Sequence, residues 1–186
     1  MKEYTVKRYT FSELEGEARE KAIKVMSIRL NEWIDERELT DYLEGYIEAD
    51  LGQLPNDIDV RYSLGYSQGD GVAIYGRILK SEAPNLTWPE GVEFVELTRN
   101  SWANHYAHYN TFNVSAFGED EEEGADCKVI EEQLRDLCKE LANKGYKYIE
   151  DQSSISTAIS YLEENYEDEF TIDGDYSPIS SESAVA

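Results

Sequence analysis

The sequence is poor in cysteine, histidine and positive charge, and it has no long apolar run. Its two cysteines, Cys127 and Cys138, stand eleven residues apart. That is too few for a disulfide framework and too wide for a short zinc knuckle; two reduced thiols in a cytosolic protein fit best. Lys and Arg number 17 against 40 Asp and Glu, a formal net charge of -23. Binding a nucleic-acid backbone needs clustered bases that displace counterions, so direct nucleic-acid binding is excluded. Docking on an anionic membrane surface is disfavoured for the same reason. No apolar run approaches eighteen residues, and no charged-then-apolar leader opens the chain, so a soluble, cytoplasmic protein is expected. A Gly-x-Ser-x-Gly element, a helical zinc-protease pattern and a repeat of solenoid length are all missing.

What is present is enough for a folded core. Hydrophobic residues make up 40% of the 186, and 14 residues are Tyr. A disordered acidic chain would be poor in aromatics. The length suits one domain, expected over 1–176, with a frayed Ser- and Ala-rich tail at 177–186.

Periodicity predicts the elements. Lys2 to Arg8 alternate as a short strand. Ser12 and Glu15 have capping-box spacing, and Leu14, Ala18, Ala22, Val25, Met26, Arg29 and Trp33 recur at helical intervals, predicting a helix over 13–34. A second helix is expected over 36–50, with Leu39, Leu43, Tyr46 and Ile47 inward and Gly52 and Pro55 ending it. Ile58, Val60, Tyr62 and Leu64 alternate, as do Val72, Ile74, Gly76 and Ile78, so the two runs read as a hairpin. Residues 81–91 read as a loop that Trp88 tucks down, and 93–98 as a strand. Tyr109 to Phe117 hold apolar groups on both faces, predicting a central strand. A helix is expected over 124–143 with Gly145 ending it, then an extended piece at 146–149. Ser153 or Ser154 would cap a last helix over 155–166, and Glu169 to Ile172 would close with a strand before an Asp173-Gly174-Asp175 turn. Strands in the middle and helices toward the ends predict an α+β fold: a central antiparallel sheet of four to six strands flanked by about four helices.

Charge is uneven. Residues 1–118 hold 20 acids and 12 bases, whereas 119–186 hold 20 acids and 5 bases. The acid-rich helical part, 119–169, contains the run Glu119, Asp120, Glu121, Glu122, Glu123 and the pairs Glu131-Glu132, Glu163-Glu164 and Glu167-Asp168. Carboxylates three or four apart share a helix face, about 5–6 Å from one another. Duplex DNA carries one charge per ~1.7 Å of axis, 3.4 Å per strand. Rows of Asp and Glu therefore approach phosphate-like charge density and would be drawn to basic grooves that hold nucleic acid. The bland reading is a merely solubilising acidic surface.

Gln68-Gly69-Asp70-Gly71 looks like a phosphate loop, but no Gly-Lys-Ser/Thr follows and the next segment reads as strand. A tight turn with φ > 0 at its glycines is the better reading, with Asp70 at the tip as a recognition residue. His105 and His108, with Asp70, are the candidates for a metal or acid–base site; contact roles are the alternative. Cys138 falls on an apolar stripe, as a buried, inert thiol would. Tyr62, Tyr66, Tyr75, Tyr106 and Tyr109 could form an aromatic face on the sheet, serving the core or a protein interface.

Tyr9 to Leu14 with Ala18 to Ala22, and above all Tyr62 to Gly71 with its Tyr-Ser-Gln-Gly-Asp-Gly string, resemble a family of small acidic bacteriophage and prophage accessory proteins, often described only as antitoxin-like. Asn104 to His108 and Glu169 to Gly174 are similar to it as well. The resemblance spans about residues 4–175 and brings no catalytic site. It implies a phage-encoded, cofactor-free inhibitor of a bacterial defence system, anti-CRISPR or anti-restriction, acting in the host cytoplasm. The partner would be a nuclease or CRISPR effector with a basic groove. An antitoxin neutralising one toxin, and a small-ligand or metal-dependent enzyme using Asp70, His105 and His108, are the alternatives.

Overall fold

The computed structural model describes residues 7–101, 106–118, 127–167 and 169–177. The fold is α+β: four helices and one antiparallel four-stranded sheet. Within the span read above as one domain, contacts cluster into two compact units, Met1–Ile34 with Ile149–Ala186, and Asp35–Tyr148.

The first unit is built on α1 (Gly16–Glu32) and α4 (Ile155–Asn165). Ala22 and Met26 of α1 meet Ala158 and Leu162 of α4, joined by Phe11, Leu14 and Phe170 in one buried cluster. The capping box lies two residues earlier than expected. The Thr10 backbone N–H donates to Glu13 Oε2 at 2.8 Å, which opens a 3-10 turn at Phe11–Glu13, and α1 starts only at Gly16. Ser154 caps α4 as expected, accepting from the Thr157 N–H at 3.1 Å. The closing strand shrinks to bridges from Phe170 to Tyr9 and Tyr176. The Asp173-Gly174-Asp175 turn forms, because Gly174 takes φ +76 where a Cβ would stand 2.1 Å from the Ala18 carbonyl oxygen.

The second unit holds the sheet: β1 (Asp57–Ser63), β2 (Gly71–Leu79), β3 (Phe94–Arg99) and β4 (Phe112–Phe117), ordered β1-β2-β3-β4. The hairpin pairs Val60 with Ile74 and Ser63 with Gly71. β4 is an edge strand, not the expected central one; its burial alternates because only Phe112 and Ala116 are fully covered. Helices α2 (Glu36–Leu51) and α3 (Lys128–Gln152) supply the rest of this core. Leu39, Leu43, Ile47 and Leu51 of α2 and Ile130, Leu134, Leu137, Cys138 and Leu141 of α3 are buried with Val60, Val72, Ile74, Ile78, Val95 and Leu97 of the strands. Asp35 caps α2, accepting from Arg37 N–H at 2.7 Å, and Gly52 closes it at φ +100. Trp88 does tuck its loop down, donating to Ala83 O at 2.8 Å.

α3 departs most from expectation. It does not stop at Gly145 but continues to Gln152, so 146–149 is helical. Gly145 is buried inside the helix because Leu64 packs there: an added Cβ would come 2.5 Å from Leu64 Cδ1. The glycine makes room for a neighbour and ends nothing.

Candidate functional site

Two surfaces of the second unit carry the candidates: the turn containing the Gly-Asp-Gly string, and the outer face of α2.

The turn leaves β1 at Ser63 and enters β2 at Gly71. Asp70 does not point outward as a recognition residue. Its carboxylate accepts from Ser63 Oγ at 2.6 Å and from the Ser67 N–H at 2.6 Å, and its own N–H returns to Ser67 O at 3.1 Å. The Ser63 hydroxyl chiefly holds this carboxyl below its ordinary range, outweighing the opposing effect of burial, with lesser help from the Ser67 and Gly65 amides. Asp70 is thus a staple of the turn.

The two glycines serve different needs. Gly69 takes φ +95, as expected, with Tyr106 laid over it: a Cβ would stand 3.3 Å from Tyr106 Cδ1. Gly71 has no positive φ and is needed for space, with His108 Cδ2 3.1 Å from where its Cβ would be. The residue that does share the left-handed conformation is Tyr66, at φ +59. An aromatic residue held there is strained. Its ring packs on Tyr146 of α3 at 4.7 Å between centroids.

His105 lies outside the described residues. His108 sits in the loop before β4, where its Nδ1 accepts from the Asn110 N–H at 3.3 Å and partial burial lowers its pKa. That nitrogen is engaged in shaping its own loop. Among the described residues no group of three or more His, Cys, Asp or Glu side chains could hold a metal ion. Cys138 is fully buried and burial pushes its thiol up to about 12, so it is inert as expected. Cys127 precedes α3 and donates to Val114 O at 3.3 Å. The one buried carboxylate among the described residues, Glu82, accepts from Asn56 Nδ2 at 2.6 Å and the Leu79 N–H at 3.1 Å, which ties two loops together.

The five tyrosines expected as one aromatic face are divided. Tyr75 is buried in β2 with its hydroxyl 2.9 Å from Thr111 Oγ1, and Tyr62 OH donates to Glu36 O at 2.9 Å. Tyr66, Tyr106 and Tyr109 gather instead around the turn and the loop before β4.

The acids sort into engaged and solvent-facing groups. Glu119, Asp120, Glu121, Glu122, Glu123 and Asp168 lie outside the described residues. On α3, Glu131 is bound by Arg135 at 2.6 Å and Asp136 by Lys139 at 2.7 Å. Six acids face five bases along this helix, so α3 is nearly neutral, contrary to its expected role as an acidic face. Glu132 remains exposed on it. On α4, Glu163 lies 3.7 Å from Arg19, while Glu164 and Glu167 are exposed. The strongest acidic face of the described helices is α2, which carries six acids and one base. Asp41, Glu44 and Glu48 follow one another at three- and four-residue steps, which aligns them along the helix. Among the described residues none of the three forms an ion pair. With the cap residue Asp35, with Glu36, Arg37 and Thr40 of α2 and with Val60, Arg61 and Tyr62 of β1, Asp41 and Glu44 line an open groove of about 640 Å³. The sequence reading missed this face by weighing charge along thirds of the chain. The spacing of acids against bases within each helix was the signal available.

Compared with protein-family models, with curated proteins and with solved structures, the chain matches none. No described helix is long and apolar enough to cross a membrane.

Proposed function

We propose that this protein is a stoichiometric, non-catalytic inhibitor that occupies a cationic, nucleic-acid-holding groove in a bacterial defence complex, a CRISPR effector or restriction nuclease, and that it is phage-encoded. The observation that carries the reading is α2, with six acids to one base on a helix held by two caps and Asp41, Glu44 and Glu48 in one row. α2 is about 24 Å long at 1.5 Å per residue, long enough to lie along about seven phosphate steps of one strand. A fixed row of carboxylates costs little ordering on binding, and the field of a chain at -23 steers it toward positive clefts. The reading takes α2 as the contact; the 119–126 part of the segment favoured by charge counts lies outside the described residues. The engaged state of Asp70, His108, Glu82 and Cys138 leaves an enzyme reading with few groups to act.

The test is a challenge. Cells whose restriction or CRISPR system excludes a phage are made to express the chain. Plating should be restored, and purified protein should block DNA binding by the same complex in a manner that weakens as salt rises. A chain carrying Asp41→Asn, Glu44→Gln and Glu48→Gln should lose both effects. Full inhibition by that variant, or salt-insensitive rescue of growth against a co-expressed toxin in place of restored plating, would overturn the reading.

A further inference from the structure

The glycine turn has a role that the acidic face does not explain. Its conformation sets out side chains: Gly69 and Gly71 are bare so that Tyr106 and His108 can lie on them, and Tyr66 is held at a strained φ with its ring on Tyr146. The outcome is not a buried cluster. Tyr66 is 64% exposed and Tyr106 49% exposed. Tyr109 is half-buried beside His108, at 3.9 Å between ring centroids. The strained backbone sets one side of the Tyr66 ring against Tyr146 and leaves most of the ring facing solvent. Tyr is the residue type enriched where a surface docks against a protein, because it offers large area for little lost rotamer freedom.

The charge of the unit as a whole selects the occupant. This unit holds 24 acids against 10 bases, so the cognate surface is positive and a nucleic-acid strand is repelled. Aromatic faces in this unit already take cations: Lys139 Nζ stands 4.8 Å from the Tyr109 ring centroid, Arg77 4.4 Å from Phe94 and Arg99 4.8 Å from Tyr75. Of the two cationic side chains, only the planar guanidinium can both stack on a ring and keep its fork free for carboxylates.

We infer that Tyr66 and Tyr106, displayed by the glycine turn and the loop beside it, form a platform that receives arginine side chains of a protein partner. The inference rests on the cationic-partner reading above and adds to it a preference for arginine over lysine.

Three probes decide it, each titrated against the full chain: a ten-residue peptide alternating Arg and Gly, its Lys counterpart, and a ten-nucleotide oligothymidine. The Arg peptide should bind about threefold tighter than the Lys peptide, the size of an exposed cation–π contact. Tyr66→Ser with Tyr106→Ser should abolish that ratio while leaving the Lys peptide's affinity unchanged, and Tyr66→Phe alone should preserve it. The triple α2 substitution should weaken both peptides alike and keep their ratio. Equal binding of the two peptides by the unaltered chain overturns the platform but leaves the acidic reading standing. Binding of neither peptide overturns both, and preferential binding of the oligonucleotide overturns the platform in favour of base stacking.

Discussion

α2 and α3 are the two helices of the second unit, and both bury a row of leucines and isoleucines. On their outer faces they part. Each carries six acids, but α2 sets one base against them and α3 sets five, two of them in ion pairs within the helix. Burial is thus solved alike on both, and α2 keeps a row, Asp41, Glu44 and Glu48, that forms no ion pair among the described residues. A charge that already has a partner stabilises the fold slightly and attracts little; a row without one raises self-repulsion and is the more informative feature.

The largest effects should not distinguish the helices at all. Leu43→Ala on α2 and Leu134→Ala on α3 each empty a fully buried site. Each should cost about 2–5 kcal/mol in denaturant unfolding. If one proved nearly neutral, that helix would not be part of the common core, and the comparison of outer faces would lose its footing.

Next comes the substitution of charge. Asp41→Asn, Glu44→Gln and Glu48→Gln together should weaken binding of the Lys-Gly peptide about tenfold, three exposed charges at roughly 0.5 kcal/mol each. Glu131→Gln, Glu132→Gln and Asp136→Asn on α3 should weaken it much less, because two of the three already face Arg135 and Lys139. Equal losses from the two triples would erase the distinction between engaged and free acids.

How far this was legible in the sequence follows the range of the forces involved. α2 was predicted over 36–50 and runs Glu36–Leu51, because its cap, stripe and terminal glycine are all local. The hairpin registered for the same reason. α3 was cut short because Gly145 looks like a terminator; what fixes it is Leu64, eighty-one residues away in sequence and invisible to any window along the chain. β4 looked central because both of its faces hold apolar residues, yet the chain adds no strand beyond it among the described residues. Exposed turn tips predict an outward Asp70, but Ser63 and Ser67 draw its carboxylate back. The pairing of Glu131 with Arg135 was readable, since four-residue spacing is a helix rule, but counting charges over a third of the chain averaged it away.

Asp35 sharpens the comparison at the helix end. It accepts from the N–H groups of both Arg37 and Glu38, so Asp35→Ala should cost about 1 kcal/mol and fray the N-terminal turn of α2. Backbone amide exchange at Arg37 and Glu38 should rise while that of α3 stays put. Unchanged protection at those two amides would mean that the acidic row is held by packing alone.

The smallest effect tests an engaged carboxylate away from either helix. With its folded-state pKa held down chiefly by the Ser63 hydroxyl, Asp70 contributes stability that is present above the ordinary value of 3.8 and is lost as pH falls through the lowered one. Water reaches the group, so the contribution should stay below about 1 kcal/mol. Thermal midpoints of the native chain and of Asp70→Asn should therefore differ at neutral pH and converge as the buffer is taken below 3.8. A gap that persists unchanged into that acid range would show that the carboxylate's charge is not what fastens the turn.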